Sequence, residues 1–166
     1  QGILTAGNAG TFDFNGSFRV DGVGILGGTS GGTYTITGDL LGNTVNADLY
    51  APQAVVRFDG AGTATVPQRL EVMGKDVGAD SAGFNKNFVY GDLSLANNTY
   101  VKPVDLSDNA AGSTPEALYV NSLIVPAGTT LDLNGLHLYA RTAQIAGTIT
   151  GGSVTQIADS GPISVG

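Results

Sequence analysis

The chain has 166 residues, which suits one domain or one module of a longer protein, and its 42% hydrophobic content supplies a core and excludes a disordered segment. Charged residues are only 13%, and 14 Asp+Glu against 7 Lys+Arg leave a net charge of −7, which excludes a nucleic-acid binder and argues against anionic lipid headgroups. There is no cysteine, so disulfide scaffolds, thiolate zinc sites and cysteine nucleophiles are excluded together, and no apolar run of about 18 residues could span a membrane.

The chain begins at Gln1 without Met or a basic-then-apolar leader, so the expectation is a removed signal peptide or an excised module. Its ends, Gln1–Gly10 and Asp159–Gly166, read as linker or cap. Helical periodicity is almost absent, whereas apolar–polar alternation recurs in short runs. Thr11–Phe14, Phe18–Val20, Tyr34–Ile36, Val56–Phe58 and Leu131–Leu133 are predicted as short, half-buried strands. Gly27-Gly28-Thr29-Ser30-Gly31-Gly32 lacks the lysine and following helix of a phosphate loop, so that reading is excluded by context.

Five of the apolar–polar–apolar units end the same way. Each of Phe12-Asp13-Phe14-Asn15-Gly16, Phe18-Arg19-Val20-Asp21-Gly22, Val56-Arg57-Phe58-Asp59-Gly60, Leu70-Glu71-Val72-Met73-Gly74 and Leu131-Asp132-Leu133-Asn134-Gly135 closes on glycine. In four of them Asn or Asp precedes it, which predicts a strand followed by a sharp corner at positive φ. Two segments break the pattern: 74–87 and 105–116 are predicted as loop excursions from the body, and loops on a regular scaffold are where a site is expected.

Longer similarity connects the units. At an offset of 30, Phe88, Leu93, Leu95, Thr99 and Val101 align with Leu118, Leu123, Val125, Thr129 and Leu131. A period of this size, built from short strands and glycine corners, predicts an all-β fold of stacked coils: a solenoid or β-helix occupying 1–166 as a single module. A β-sandwich with strands at regular spacing is the alternative.

From Asn97 onward the sequence is similar to a block of very large secreted proteins of planctomycete-type bacteria. Ala117-Leu118-Tyr119-Val120-Asn121-Ser122 carries part of the likeness. Its core, Ile124-Val125-Pro126-Ala127-Gly128-Thr129-Thr130-Leu131-Asp132-Leu133-Asn134-Gly135, resembles coils of right-handed parallel β-helix and autotransporter-like adhesin passengers. The resemblance covers the last 60 to 70 residues or so and carries no catalytic residues across. It implies a secreted or cell-surface, multidomain setting and a structural or adhesive role, with self-association or a surface glycan as partner.

The residues that could carry chemistry each have a plain structural role beside it. His137, the single histidine, shares a strand face with Tyr139 opposite Leu136 and Leu138, and no Gly-x-Ser-x-Gly elbow accompanies it. Asp13, Asp59, Glu71 and Asp132 could run glycosidase chemistry, but their recurrence marks them as outward-facing strand residues. Arg57, Arg69 and Lys75 could serve a calcium-dependent polysaccharide lyase, the enzymatic alternative, although no motif fixes them. Asp105, Asp108 and Asn109 put hard oxygen donors within five residues and could hold Ca²⁺, with Asp76 and Asp80 as a second pair; neither loop matches an EF-hand or a nonapeptide repeat. Tyr90, Tyr100, Tyr119 and Tyr139 could form a sugar-stacking platform for a carbohydrate-binding module. The expectation is a non-enzymatic structural or adhesive module without a required cofactor.

Overall fold

The computed structural model describes residues 2–112 and 114–158, so the expectation for Asp159–Gly166 lies outside the described residues. The chain is all-β. Its strands are β1 (Ile3–Ala6), β2 (Thr11–Phe14), β3 (Phe18–Val20), β4 (Ile25–Gly28), β5 (Thr33–Ile36), β6 (Leu40–Gly42), β7 (Val55–Phe58) and β8 (Gln68–Glu71). They continue as β9 (Gly74–Lys75), β10 (Tyr90–Leu95), β11 (Tyr100–Val104), β12 (Glu116–Val125), β13 (Thr130–Asp132), β14 (His137–Ile145), β15 (Thr148–Thr150) and β16 (Val154–Gln156). One 3-10 turn, Ser81–Phe84, interrupts them. Residues 3–6, predicted as part of a linker or cap, are instead a strand, because β1 pairs along its whole length with β4.

Three sheets result. The largest runs β16-β14-β12-β10-β7-β5-β2 with β9 on its side, the second runs β15-β13-β11-β8-β6-β3, and β1 pairs with β4. Every described pairing is parallel except that of β9 with β12. An antiparallel β-sandwich is thereby set aside. The chain alternates between sheets and returns to each after 16 to 37 residues. Thr11 pairs with Thr33 and Thr33 with Val55, a step of 22 residues each time, and Phe18 pairs with Leu40 at the same step. Further along, Leu93 pairs with Leu123 and Val101 with Leu131, the offset of 30 visible in the sequence. The last steps are shorter, Tyr139 to Thr155 and Leu131 to Ile149.

Because successive side chains in a strand face opposite ways, one apolar row per strand meets the rows of the other sheets. Tyr34, Ile36, Val56, Phe58, Leu70, Leu93, Leu95, Val101, Leu123 and Leu131 are fully buried in one continuous core. A second, smaller cluster on the outer face gathers Val89, Ala117, Tyr119 and Tyr139, with Phe84 packed on it. That cluster is what holds the 74–87 excursion against the sheet.

The corners divide into two physical kinds. Asn134 and Gly135 both take left-handed backbone, at φ 56° and 79°, as the Asn-Gly pattern predicts. At Gly60 the reason is space instead. A Cβ there would lie 2.1 Å from the carbonyl oxygen of Thr37 on the neighbouring pass, so close stacking, and not dihedral freedom, requires glycine.

Candidate functional site

The four tyrosines proposed as a platform are not brought together on a surface. Tyr90 lies in the main core with its hydroxyl 3.1 Å from that of Tyr50, and burial raises both phenols. Tyr119 is also fully buried; its hydroxyl accepts from the Val77 N–H and donates to the Gly78 carbonyl. Tyr139 stacks on Tyr119 at 4.8 Å between ring centres and is itself buried. Tyr100 alone is half-buried, and it spends its hydroxyl on Asp132 at 2.9 Å. Tyr90 packs against Tyr50 in the main core although Leu93 and Leu95 set the opposite parity in its strand, while Tyr119 and Tyr139 are roofed by the 74–87 segment.

The 105–116 loop is built around two carboxylates rather than one. Glu71, at the end of β8, accepts the backbone N–H groups of Leu106 and Ser107 at 2.6 and 2.9 Å. Glu116, opening β12, accepts those of Asn109 and Ala110 at 2.6 and 2.5 Å. Asn109 is buried and donates its amide to the Gly42 and Thr44 carbonyls, tying the loop back to β6. Glu71 therefore corrects the outward reading: it is 1% exposed, because the loop closes over the face that alternation assigns to solvent. Burial raises its carboxyl above the usual range, against the two N–H groups that lower it.

Glu116 is the loop residue that sequence reasoning missed. It is 3% exposed, and burial pushes its carboxyl from 4.5 to about 7, with Asp105 and Asp108 adding repulsion. Its parity was a usable signal, since Glu116, Leu118 and Val120 share the inward face of β12. Asp105, Asp108, Thr114 and Glu116 line a depression of about 240 Å³. Of the predicted trio Asp105, Asp108 and Asn109, the first two line it, while Asn109 turns its amide nitrogen to the Gly42 and Thr44 carbonyls. Among the described residues no group of three His, Asp or Glu side chains is arranged to hold a metal ion by itself.

A folded carboxyl with a raised pKa binds its proton more tightly than the unfolded chain does. The stability this confers is complete below about pH 4.5 and is lost as the pH rises through about 7. The urea midpoint should therefore fall between pH 5 and 8, and Glu116→Gln should flatten most of that fall, with Glu71 supplying the remainder. An unchanged slope in the variant would contradict the assignment.

The second cluster joins Asp76 to residues 61 and 63 positions away. Nδ1 of His137 lies 2.5 Å from one Asp76 oxygen, and the Tyr139 hydroxyl donates to the other at 3.1 Å. Burial alone would raise the Asp76 carboxyl, but the Gly78 N–H, the His137 ring and the Tyr139 hydroxyl hold it below the usual carboxylate range. Burial, with the same carboxylate beside it, pushes the Tyr139 phenol up to about 12. His137 is exposed, as its strand face predicts, and shares a depression of about 480 Å³ with Ser153 and Thr155. The described hydrogen bonds of its ring go to Asp76 and Tyr139, which makes it a latch for the 74–87 segment. No sequence signal links Asp76 to His137; only the antiparallel β9–β12 pairing brings them together.

The remaining candidates have structural partners. Arg69, one of the cations considered for lyase chemistry, is paired with Asp39 at 2.6 Å. Asp132 receives the Tyr100 hydroxyl and lies 3.8 Å from the Lys102 ammonium. Asp13 and Arg57 are exposed on their strands, as predicted, and Asp59 is half-buried. No helix among the described residues is long and apolar enough to cross a membrane. Compared with models of protein families, with curated proteins and with solved structures, the chain matches none.

Proposed function

We propose that the chain is a right-handed parallel β-helix module of a secreted or cell-surface protein. Its work is structural and adhesive, and self-association through one end of the rod is part of it. The resemblance of residues 97–135 to adhesin-like coils supports the setting, and the stacking steps of 22 and 30 residues support the solenoid. A non-catalytic role is favoured because the acids of the module serve as clamps and ion-pair partners: Glu71, Glu116, Asp39 and Asp132 each hold a piece of the scaffold.

One observation carries the self-association. Among the described residues, strands β1, β2 and β3 each have a pairing partner on one edge only, at the same end of their sheets. That end is also apolar. Ile3 is 65% exposed and Val23 53%, beside a depression of about 440 Å³ walled by Leu4, Phe14, Phe18 and Ile25. The opposite end carries Thr148, Thr150, Thr155 and Gln156 on its last strands. Within the chain, the equivalent face of the second pass is covered by the first, so the shape accepts another pass of the same kind. The occupant is a second copy of this chain, apolar end to apolar end about a two-fold axis. Arg19 and Asp21, paired with each other on the rim, can exchange partners across that axis.

Sedimentation analysis should show a concentration-dependent dimer. Ile3→Lys with Val23→Lys, both at exposed positions, should weaken it by about tenfold or more, because each places a charge in an apolar contact. A chain that stays monomeric at about 100 μM, far above the range expected of a specific contact, removes the self-association reading. Open-ended filaments would favour head-to-tail stacking instead. Specific retention of the monomer on one polysaccharide would favour a carbohydrate-binding module.

A further inference from the structure

Two Asn-Gly pairs close corners of this chain, Asn15-Gly16 after β2 and Asn134-Gly135 after β13, and the fold holds them differently. At the second pair the Gly135 N–H donates to the Gly151 carbonyl at 2.8 Å, and the Asn134 amide donates to the Pro103 carbonyl at 3.3 Å. Backbone nitrogen and side chain are both tied to neighbouring passes. At the first pair neither the Gly16 N–H nor the Asn15 amide has a partner among the described hydrogen bonds. That corner is held instead by the Gly16 carbonyl, which accepts the Gly38 N–H at 3.0 Å, and by the Ser17 hydroxyl, which accepts the Asp39 N–H at 3.0 Å. Asn15 is exposed, and nothing lies within 4 Å of the place where a Gly16 Cβ would stand. The difference has a topological cause: β13 lies between β11 and β15, whereas β2 and β3 end their sheets and have a neighbour on one side only.

We propose that Asn15 is a site of spontaneous deamidation in the folded protein, and that the reaction alters the apolar end of the module. The Gly16 backbone nitrogen attacks the carbonyl carbon of the Asn15 side chain. The new C–N bond closes a succinimide ring, and the side-chain nitrogen leaves as ammonia with the proton that the Gly16 nitrogen gives up. Water then opens the ring at either carbonyl, so a carboxylate, as aspartate or isoaspartate, replaces a neutral amide. Glycine allows the step because it has no Cβ to crowd the attacking nitrogen and the freest backbone. Asn134-Gly135 carries the same chemistry, but its nitrogen is engaged, so the bond to Gly151 must open locally before attack. Asn15 lies between Phe14 and Phe18, whose rings stack at 4.5 Å and wall the apolar depression. A carboxylate there sets a charge beside the apolar contact, and isoaspartate adds a main-chain carbon that shifts the two rings. This consequence rests on the self-association reading; the chemistry at Asn15 does not.

The test is peptide mapping by mass spectrometry after incubation of the folded chain in mildly alkaline buffer, with a urea-unfolded sample beside it. In the folded chain Asn15 should convert at least about tenfold faster than Asn134, and in urea the two should convert at similar rates. Asn15→Gln, whose longer side chain disfavours ring closure, should abolish conversion at that position. An Asn15 amide that survives in the folded chain while the unfolded chain loses it would overturn the proposal. So would equal conversion of Asn15 and Asn134 in the folded chain. Sedimentation then reads the consequence: the aged wild type and Asn15→Asp should dimerise about tenfold more weakly than fresh protein, and aged Asn15→Gln should keep its affinity. Equal dimer affinity in fresh and aged wild type would overturn the effect on the apolar end. A chain that is monomeric both fresh and aged would remove the self-association reading, with the mapping result still deciding the chemistry at Asn15.

Discussion

Gln68→Ala should be among the most damaging single substitutions in the chain, at about 3–5 kcal/mol and a fall of roughly 10 °C in melting temperature. Gln68 is 4% exposed and uses both ends of its amide to join separate passes of the chain. Its Oε1 accepts from the Gly60 N–H at 3.0 Å and from the Thr99 hydroxyl at 2.6 Å. Its Nε2 donates to the carbonyls of Ile36 and Gly38 at 2.9 and 2.7 Å. The four bonds satisfy the side chain, and they fix which end is oxygen, because Gly60 can only donate and the two carbonyls can only accept. Truncation takes the partner from the Gly60 N–H, the Thr99 hydroxyl and the Gly38 carbonyl, leaves the Ile36 carbonyl with the Asp59 N–H, and opens a cavity as well. Gln68→Met separates the two effects by restoring volume without polarity. If Gln68→Met proves as stable as the wild type in urea, the amide network contributes nothing and this account fails.

Gly42→Ala should cost more than about 3 kcal/mol, an unusually large penalty for one methyl group. Gly42 ends β6 opposite Val20 of β3, and a Cβ would stand 2.1 Å from the Val20 carbonyl oxygen. The obstacle is backbone, which no rotamer change can move aside. The β3–β6 pairing must therefore open, and with it the return of the chain to the second sheet. Gly7→Ala is the matched control: nothing lies within 4 Å of its added Cβ, and its effect should stay within about 0.5 kcal/mol. Similar unfolding midpoints for the two variants would show that the passes are less tightly stacked than described.

The two residues illustrate what is readable before folding. Period-two alternation identifies the inward rows, and it placed Tyr34, Val56, Phe58 and Leu131 correctly in a buried face. The same rule failed at Glu71 and at the tyrosines. Alternation tells which side of a strand a residue faces, not what later covers that side. The 105–116 loop covers Glu71, and the 74–87 segment covers Tyr119 and Tyr139, so all three are buried on faces that a two-sheet pattern leaves to water.

Composition and local pattern by themselves determined that this chain is all-β, that it turns at glycine corners such as Asn134-Gly135, and that part of it repeats at an offset of 30. These follow from short-range stereochemistry, in which strand alternation and left-handed Asn-Gly corners are properties of adjacent residues. Tertiary structure alone decided that the pairings are parallel, that Gly42 and Gly60 are required for close approach and not for turning, and that Glu116 is buried with the Asn109 and Ala110 N–H groups on its carboxylate. It also decided that Asp76 meets His137. Each of these depends on which residues from distant passes come to lie against one another, and that is set by the stacking register, a quantity no local window of sequence contains.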